Sequence, residues 1–269
     1  MKRVAIHSVP RSGSTWLGAI LDSHPEVIYK FQPLFSYRFK GALSASSSKE
    51  EIVKFFATIS ETPDAFIDQI EAKAKGIVPI FPKGNPECIV YKEVRYHNIL
   101  PNLLEQDKEA MAIGLIRNPL SVLSSWRHAP REFREDLNWN FLEEWWDAPS
   151  KNQGRVEEFY GYAKWKTVAM LFHDLKDRYP NRFYIIRYSD LLRSTMEEVT
   201  KLFDFVGLSM ADQTISFINS SKEREIEDPY SVYKKKSDDM SWMGRLPDTI
   251  VHAVQQDLKD TPLEIYIQA

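Results

Sequence analysis

The stretch of sequence that decides the fold is Val4-Ala-Ile-His-Ser-Val-Pro-Arg-Ser-Gly-Ser-Thr-Trp-Leu17. Its apolar beginning predicts a buried strand, residues 10–13 predict a tight turn, and Ser14 begins a helix that turns Trp16 and Leu17 inward. A strand that leads through a glycine turn into the N-terminus of a helix directs backbone N–H groups at a bound anion. The segment therefore predicts an anion-binding loop, to which four side chains add possible donors: Arg11, Ser12, Ser14 and Thr15.

This loop differs from the phosphate loop of ATP-dependent enzymes. That motif reads G-x-x-x-x-G-K-[ST], and neither its first glycine nor its lysine is present here. A kinase with a degenerate loop is one alternative function, and it would require ATP and magnesium. For the loop itself, the structural alternative is an ordinary helix start capped by serine or threonine.

A second signal for anion binding is Gly114-Leu-Ile-Arg-Asn-Pro-Leu-Ser-Val-Leu-Ser-Ser-Trp126. Arg117 stands at the C-terminal end of a predicted strand, where ligands of open α/β sheets collect. Pro119 begins the next helix, and Ser125 lies about two turns along it, so Arg117 and Ser125 can reach one phosphate. The alternative is that Arg117 pairs with a surface carboxylate.

Short apolar runs alternate with helical patterns along the chain. The runs cover residues 4–9, 27–29, 88–94, 111–116 and 183–186. This alternation predicts an α/β fold, a P-loop-like parallel sheet of about five strands with helices on both faces. Ser48 with Glu51, and Ser194 with Glu197, predict two capping boxes, and Gly207 is expected to end the second of these helices.

Length and composition predict one domain over residues 1–269. The chain is 43% hydrophobic with a net charge of −3, so it lacks the overall basic character of a nucleic-acid binder. Met1-Lys2-Arg3 leads directly into the first strand, and no apolar run approaches the roughly eighteen residues of a membrane span. We therefore expect a cytoplasmic protein without a membrane span, and Cys88 alone cannot form an intramolecular disulfide.

Two stretches fit the alternating pattern poorly. Residues 127–150 mix charges with aromatic residues, and residues 220–245 are polar and rich in lysine. Connections of this length in a compact domain are commonly functional. Both segments are therefore candidate covers for a substrate or cofactor.

The two anion-binding motifs together resemble those of the sulfotransferase family. Pro10-Arg-Ser-Gly-Ser-Thr-Trp16 is similar to the family's 5′-phosphosulfate loop, Pro-Lys/Arg-Ser-Gly-Ser/Thr-Thr-Trp. Arg117 and Ser125 are similar to its 3′-phosphate motif, in which a serine follows an arginine eight residues later. The resemblance implies 3′-phosphoadenosine 5′-phosphosulfate (PAPS) as cosubstrate, adenosine 3′,5′-bisphosphate (PAP) as product, and a donor site that includes Arg11, Ser12, Gly13, Ser14, Thr15, Trp16, Arg117 and Ser125.

Weaker similarities extend over most of the chain. Ile186-Arg-Tyr-Ser-Asp-Leu191 resembles a strand end of the family whose tyrosine lies near the nucleotide, which implies that role for Tyr188. Lys235-Lys236-Ser237 followed by Trp242 resembles the loop that closes over the 3′-phosphate, which adds Lys235 and Lys236 to the donor site. Lys92 lies where the third predicted strand ends and would bring a second cation to the crevice.

The general base is left open by the sequence. Val94 stands where cytosolic members of the family carry a histidine, and Gln32 stands where many carbohydrate enzymes carry a carboxylate. His97 and Glu93 are the nearest candidates, followed by His24, His128 or a carboxylate in residues 127–150, the aromatic segment. Sulfuryl transfer resembles phosphoryl transfer but involves less charge on the moving group, so Arg11 and Lys92 are expected to act without a metal.

The segment of residues 131–147 bears on the chemical character of the acceptor. It contains five aromatic residues and six carboxylates against two arginines. If it lines the site, a neutral or cationic small-molecule or saccharide acceptor fits better than an anionic polysaccharide; otherwise Trp139, Leu142 and Trp146 pack on the core. The predicted function is transfer of a sulfuryl group from PAPS to a hydroxyl or amine, and a non-catalytic binding protein on this scaffold is the further alternative.

Overall fold

A computed structural model of the chain describes residues 1–228, 230–233, 235 and 238–268. Within this part the chain forms one five-stranded sheet in the order β2-β3-β1-β4-β5, and every neighbouring pair is parallel. The strands are β1 (Lys2–His7), β2 (Val27–Phe31), β3 (Cys88–Glu93), β4 (Ala110–Ile116) and β5 (Phe183–Arg187). The predicted parallel sheet of about five strands is confirmed.

The order of the strands creates a crevice beside the central strand. β1 pairs with β3 on one side and with β4 on the other. The chain leaves β1 toward the β2 edge and leaves β4 toward the β5 edge, so the connections after these two neighbours diverge. Ligands of open α/β sheets bind at such a reversal, outside the carboxyl ends of the strands.

Twelve α-helices and four short 3₁₀ turns connect and cover the strands among the described residues. The helices are α1 (Ser14–Asp22), α2 (Lys49–Glu61), α3 (Ile70–Ala74), α4 (Leu100–Gln106), α5 (Pro119–Arg127), α6 (Phe141–Glu144), α7 (Pro149–Asn152), α8 (Tyr162–Arg178), α9 (Tyr188–Arg193), α10 (Thr195–Val206), α11 (Asp212–Glu223) and α12 (Asp248–Leu258). The 3₁₀ turns are Pro33–Phe35, His97–Ile99, Glu135–Leu137 and Glu264–Tyr266.

Side chains that alternate along the strands supply two cores, one on each face of the sheet. In β1, Val4 and Ile6 pack in the cluster with α1, α9, α10 and α11, whereas Ala5 packs in the cluster with α2, α4, α5, α8 and α12. Helices therefore cover both faces, as predicted. No helix in the described ranges is long and apolar enough to cross a membrane.

The predicted helix ends are correct at α2 and partly wrong at α10. Glu51 N–H donates to Ser48 Oγ at 3.3 Å, and Ser48 N–H donates to Glu51 Oε2 at 2.8 Å, so the first capping box is confirmed. Ser194 caps α10 without a side-chain hydrogen bond, so the second box is wrong. The reason is that α9 ends at Arg193: the Ser194 N–H donates to Asp190 O and closes that helix instead. Gly207 ends α10 in the left-handed conformation, as predicted.

Candidate active site

The carboxyl ends of the strands open into one cavity of about 570 Å³. Every strand of the sheet delivers a residue to its lining at or just beyond its end: Arg11, Gln32, Val94, Arg117 and Tyr188. The lining is strongly positive, because seven of its described residues are lysine or arginine and one is a carboxylate, Glu132. The seven cations are Arg11, Lys92, Arg95, Arg117, Arg131, Lys151 and Lys222.

The predicted anion-binding loop enters the cavity with two residues in the left-handed conformation. Arg11 has φ 68° and Gly13 has φ 89°, and α1 begins directly afterwards at Ser14. The ring of Tyr188 packs on Gly13 so closely that a Cβ at this glycine would lie 2.3 Å from Tyr188 Cε2. Glycine is therefore required here both by its φ and by the close approach of the aromatic ring.

Arg117, a residue of the second anion-binding motif, contacts the first motif. Its side chain is 5% exposed, and its Nη1 donates to the main-chain oxygen of Arg11 at 2.8 Å. Its Nε donates to both carboxylate oxygens of Asp239, at 2.9 and 3.0 Å, and its Nη2 donates to the same carboxylate. The guanidinium also lies over the Tyr188 ring, 4.8 Å from its centroid. Arg117 thus ties the strand end of β4 to the anion-binding loop.

Arg11 reaches across the cavity to the second motif. Its Nε donates to Ser125 Oγ at 3.2 Å, and its Nη1 lies 3.4 Å from Glu132 Oε1. Its guanidinium is 5.3 Å from the centroid of the Tyr230 ring. The two predicted phosphate elements are therefore in direct contact through Arg11 and Ser125.

Lys92 is a buried cation in the lining of the cavity. It is 1% exposed, and its Nζ lies 4.2 Å from the centroid of the Phe31 ring. Burial lowers the pKa of Lys92 to about 7, although the neighbouring Glu93 acts in the opposite direction. A bound anion would favour the charged form of this lysine, since an opposite charge nearby raises the pKa of an amine.

The two base candidates taken first from the sequence, His97 and Glu93, lie outside the cavity lining. His97 is fully buried, with its Nδ1 3.0 Å from His7 Nδ1, and burial lowers its pKa to about 3. Glu93 is also fully buried, and burial raises its pKa to about 8; its Oε1 accepts a 2.8 Å hydrogen bond from Leu34 N–H. Strand alternation places Glu93 on the sheet face opposite Lys92, as expected, and that is why it misses the site.

Of the remaining candidates for the general base, the two histidines lie away from the cavity and one carboxylate lines it. His24 bonds to Ser209 O at 2.9 Å and His128 to Ser124 O at 2.8 Å, and neither lines the cavity. Glu132, a carboxylate of the aromatic segment, does line it. One Glu132 oxygen faces Arg11, and the other accepts a hydrogen bond from the Tyr160 hydroxyl at 3.1 Å.

Most of the predicted donor-binding residues are brought together. Eight of them line the cavity: Arg11, Gly13, Ser14, Thr15, Trp16, Arg117, Ser125 and Tyr188. Ser12 is fully buried outside the lining, with a hydroxyl that has no hydrogen-bond partner in the described part of the chain. Lys235 is exposed and does not line the cavity, and Lys236 lies outside the described residues.

Sequence reasoning missed several residues on the far side of the cavity from the loop. Arg95 is 8% exposed, and its Nε lies 3.2 Å from both carboxylate oxygens of Glu158 while its Nη1 donates to Gln32 Oε1 at 3.2 Å. Arg95 follows the end of β3, so the strand-end argument that identified Arg117 applies to it equally. Lys151 lies 4.8 Å from the centroid of the Tyr160 ring, and no motif in the sequence marks either residue.

The aromatic segment enters the site only at its beginning. Arg131 and Glu132 line the cavity, whereas Phe133 and Phe141 are buried in the core. Leu142 and Trp146 are 58% and 40% exposed, so the alternative in which they pack on the core at helical spacing is wrong for these two residues. Trp139 does pack against the core.

Comparison with known proteins identifies the family to which this fold and site belong. A family model described as a sulfotransferase domain matches residues 1–261. The chain belongs to the sulfotransferase family. The predictions of the family and of the enzyme class are confirmed at this level, as is PAPS as the family's sulfate donor.

This sulfotransferase is similar to two curated mouse proteins. Carbohydrate sulfotransferase 5 is 22% identical over 269 aligned residues, which cover 81% of this chain and 67% of that protein. Carbohydrate sulfotransferase 3 is 26% identical over 315 residues, which cover 94% of this chain and 65% of that protein. The chain thus spans about two thirds of the length of these relatives.

Solved structures share the fold at low sequence identity. A mouse sulfotransferase crystallised with PAP matches with a TM-score of 0.58 at 14% identity, covering 99% of this chain and 87% of that one. A retinol dehydratase crystallised with retinol and PAP matches with a TM-score of 0.55 at 16% identity, covering 97% and 82% respectively. These likenesses confirm the predicted fold class.

The cavity of this sulfotransferase fits an anionic nucleotide on its own geometry. Arg11 and Arg117 lie beside a helix N-terminus, and Tyr188 offers a ring face against the glycine of the loop. Lys92 and Lys222 add positive charge to the same lining. Among the described residues no group of three or more histidine, cysteine, aspartate or glutamate side chains could hold a metal ion.

Proposed function

We propose that this chain transfers a sulfuryl group from PAPS to a hydroxyl or amine of an acceptor that enters the same cavity, and releases PAP. The observation that carries the proposal is the contact between the two phosphate motifs, Arg11 to Ser125 at 3.2 Å, inside a lining with seven cations. Such a positively charged lining suits a donor that carries phosphate groups on both the 3′- and the 5′-oxygen of its ribose. Electrostatic stabilisation and positioning supply most of the rate in transfers of this type.

The reaction that the cavity would support is an in-line displacement at sulfur. The acceptor oxygen or nitrogen forms a bond to sulfur, while the bond from sulfur to the oxygen of the 5′-phosphate breaks and leaves its electron pair on that oxygen. Arg11 and the N-terminus of α1 are placed to stabilise this developing charge. Lys92, near the carboxyl end of the neighbouring strand β3, would contact the oxygens of the moving sulfuryl group.

The proton of the acceptor requires a base, and we assign this role to Glu132. Within the described lining it is the one carboxylate. The Tyr160 hydroxyl donates to one of its oxygens at 3.1 Å and so orients the carboxylate, whose other oxygen faces Arg11 at 3.4 Å. A base must lie within hydrogen-bond reach of the proton that it accepts, and His97 and Glu93 do not meet this condition from their buried positions.

The chemical character of the acceptor follows from the rest of the lining. Of the six carboxylates that suggested a cationic acceptor, only Glu132 lines the cavity. Asp136 pairs with Arg134, and Glu144 accepts hydrogen bonds from Ser150 N–H. We assign the acceptor to the side of the cavity away from the anion-binding loop, where the cations Arg95 and Lys151 lie. Aromatic rings also line this cavity, among them Phe31, Phe35, Phe66 and Tyr160. We therefore propose a neutral or anionic hydroxyl compound with a flat or apolar part, and the cationic alternative loses its support.

A binding experiment and a product search test this function. Calorimetry should show that PAP binds far more tightly than AMP, since AMP lacks the 3′-phosphate, and that magnesium with ATP does not replace it. Mass spectrometry of a cell extract incubated with the protein and PAPS should then detect a compound that has gained one sulfuryl group. Equal affinities for AMP and PAP would contradict the donor site, and ATP-dependent labelling would favour the kinase. The cytoplasmic location stays a prediction, which fractionation of the native host would test.

A further inference from the structure

Both residues predicted to bind the 3′-phosphate are already bound to other groups of the protein. Ser125 accepts from Arg11 at 3.2 Å, and Arg117 forms a buried two-pronged ion pair with Asp239. Asp239 is itself 7% exposed. A carboxylate that accepts from two nitrogens of one guanidinium presents the same geometry as two oxygens of a phosphate.

We propose that Asp239 occupies the 3′-phosphate subsite while no nucleotide is bound, and that it competes with this phosphate for Arg117 and so promotes release of PAP. This inference rests on the proposed function, because it needs a nucleotide with a 3′-phosphate. The phosphate carries more charge than a carboxylate and a third oxygen for Ser125, so it can replace Asp239. A ligand without a 3′-phosphate, such as AMP, leaves Asp239 in place.

Arg117 does not depend on Asp239 for its position. Its Nη1 donates to Arg11 O at 2.8 Å, its guanidinium lies over Tyr188, and its main-chain oxygen accepts from Trp165 Nε1 at 2.9 Å. Three contacts other than the ion pair therefore hold it in place. If Asp239 served only to orient Arg117, it would duplicate these three contacts. Competition with a phosphate for the guanidinium is a role that the three contacts do not supply.

The main chain at Asp239 is held separately from its carboxylate. Ser121 Oγ, on the same helix as Ser125, donates to the Asp239 main-chain oxygen at 2.7 Å. Trp242, three residues later, is 7% exposed and packs in the core. These anchors allow the side chain to turn away from Arg117 when a phosphate arrives and to return when PAP leaves, while the backbone keeps its place.

Calorimetry with PAP and AMP on two variants tests the competition. In Asp239→Asn we expect PAP to bind roughly ten-fold more tightly, because less of the protein has its anion site occupied, and AMP to bind as in the wild type. In Ser121→Ala, which loosens the anchor of Asp239, we expect a smaller change in the same direction. Glu225→Gln is the matched control, since it removes one exposed negative charge from the same segment away from Arg117. Stopped-flow dissociation should show slower PAP release in Asp239→Asn.

The outcomes separate this inference from the proposed function. Weaker or unchanged binding of PAP by Asp239→Asn would overturn the competition and make Asp239 a structural partner of Arg117. If Asp239→Asn does not fold, unchanged or weaker PAP binding by Ser121→Ala overturns it equally. A wild-type protein that does not prefer PAP to AMP would contradict the proposed function itself, whatever the variants do.

Discussion

Arg11 Nε donates a hydrogen bond to Ser125 Oγ at 3.2 Å and joins two segments that are 114 positions apart in the chain. Arg11 belongs to the loop after β1, and Ser125 belongs to the helix after β4. These two strands are neighbours in the centre of the sheet, so their carboxyl ends bring the loop and the helix together. The loop and the helix that carry the donor site are thereby held side by side, a form of preorganisation, although Ser125 and Arg117 must still exchange their present partners for the 3′-phosphate.

Arg11→Ala should lower turnover by roughly 10²–10³ because it removes a cation that stabilises charge on the leaving phosphate. Arg11→Lys should retain part of the activity, since the positive charge is kept. The measurement is the rate of PAP formation from PAPS with an acceptor found by the product search. Arg134→Ala, which removes an exposed arginine paired with Asp136, is the control, and unchanged turnover in Arg11→Ala would mean that the loop only binds the donor.

Glu132→Gln should lower kcat by roughly 10²–10⁴ while PAP affinity changes little, because it removes the base but keeps the shape of the side chain. Tyr160→Phe should give a smaller loss, since it removes only the hydrogen bond that orients the carboxylate. Glu135→Gln, on an exposed residue of the same segment, should behave as the wild type. Full activity of Glu132→Gln together with collapse in His97→Ala or Glu93→Gln would return the role to the residue concerned.

PAP binding at pH 8 should be accompanied by uptake of a proton at Lys92. The pKa of this buried lysine is lowered to about 7 in the free protein, so much of it is neutral at pH 8, and a bound phosphate favours its charged form. The affinity for PAP should consequently fall as the pH rises above 7. Calorimetry in Tris and in HEPES, whose heats of ionisation differ, measures the uptake.

The proton uptake should disappear in Lys92→Met and persist in Lys54→Met, where the exposed lysine lies on α2. Persistence of the uptake in Lys92→Met would assign it to another group. Affinity that is independent of pH in the wild type would show that Lys92 does not respond to the nucleotide.

Gly13→Ala should destabilise the protein by about 2–4 kcal/mol and weaken PAP binding, because the new Cβ suffers both an unfavourable φ and a clash. The clash is with Tyr188, 2.3 Å away. Gly41→Ala separates the two effects, since Gly41 has φ 77° but no heavy atom within 4 Å of the new Cβ. Thermal unfolding with and without PAP should show a small loss for Gly41→Ala and a large loss, with less protection by PAP, for Gly13→Ala.

His97 should contribute to the pH dependence of stability and not to catalysis. Its folded pKa of about 3 lies below its ordinary 6.5, so the unfolded chain binds a proton that the folded chain does not, and stability is lost as the pH falls from about 6.5 toward 3. The raised pKa of Glu93, about 8, acts in the opposite sense, because its contribution is complete below pH 4.5 and is lost as the pH rises through 8.

Comparison of variants isolates the histidine, since Glu93 is common to all of them. Between pH 6.5 and pH 5, the free energy of unfolding of the wild type, measured in urea, should fall by up to about 2 kcal/mol relative to that of His97→Asn. His252→Asn, on an exposed position of α12, should follow the wild type. Parallel curves for the wild type and His97→Asn would show that His97 takes up a proton equally in both states.

Patterns that depend on neighbours in the chain were predictable. The five strands, the helix starts at Ser14 and Pro119 and the capping box at Ser48 were all correct, because hydrophobic alternation and cap chemistry act over a few residues. The exception at Ser194 has the same local character. There, Ser194 is the single residue between the end of α9 at Arg193 and the start of α10 at Thr195, and a capping-box pattern contains no signal for the end of a preceding helix.

The sequence by itself determined the parallel sheet and the two phosphate elements, since both follow from short stretches and from the rule that strand ends in such a sheet share one edge. Only the tertiary structure decided which side chains complete the site. Arg117 meets Asp239 across 122 positions and Arg95 meets Glu158 across 63, and no local pattern encodes such pairs. His97 and Glu93 are close to the family's catalytic position in sequence, but packing buries both beneath the sheet edge and brings Glu132 to the cavity instead. The physical reason is that a side chain's direction and burial are decided by the elements packed around it, which come from distant parts of the chain.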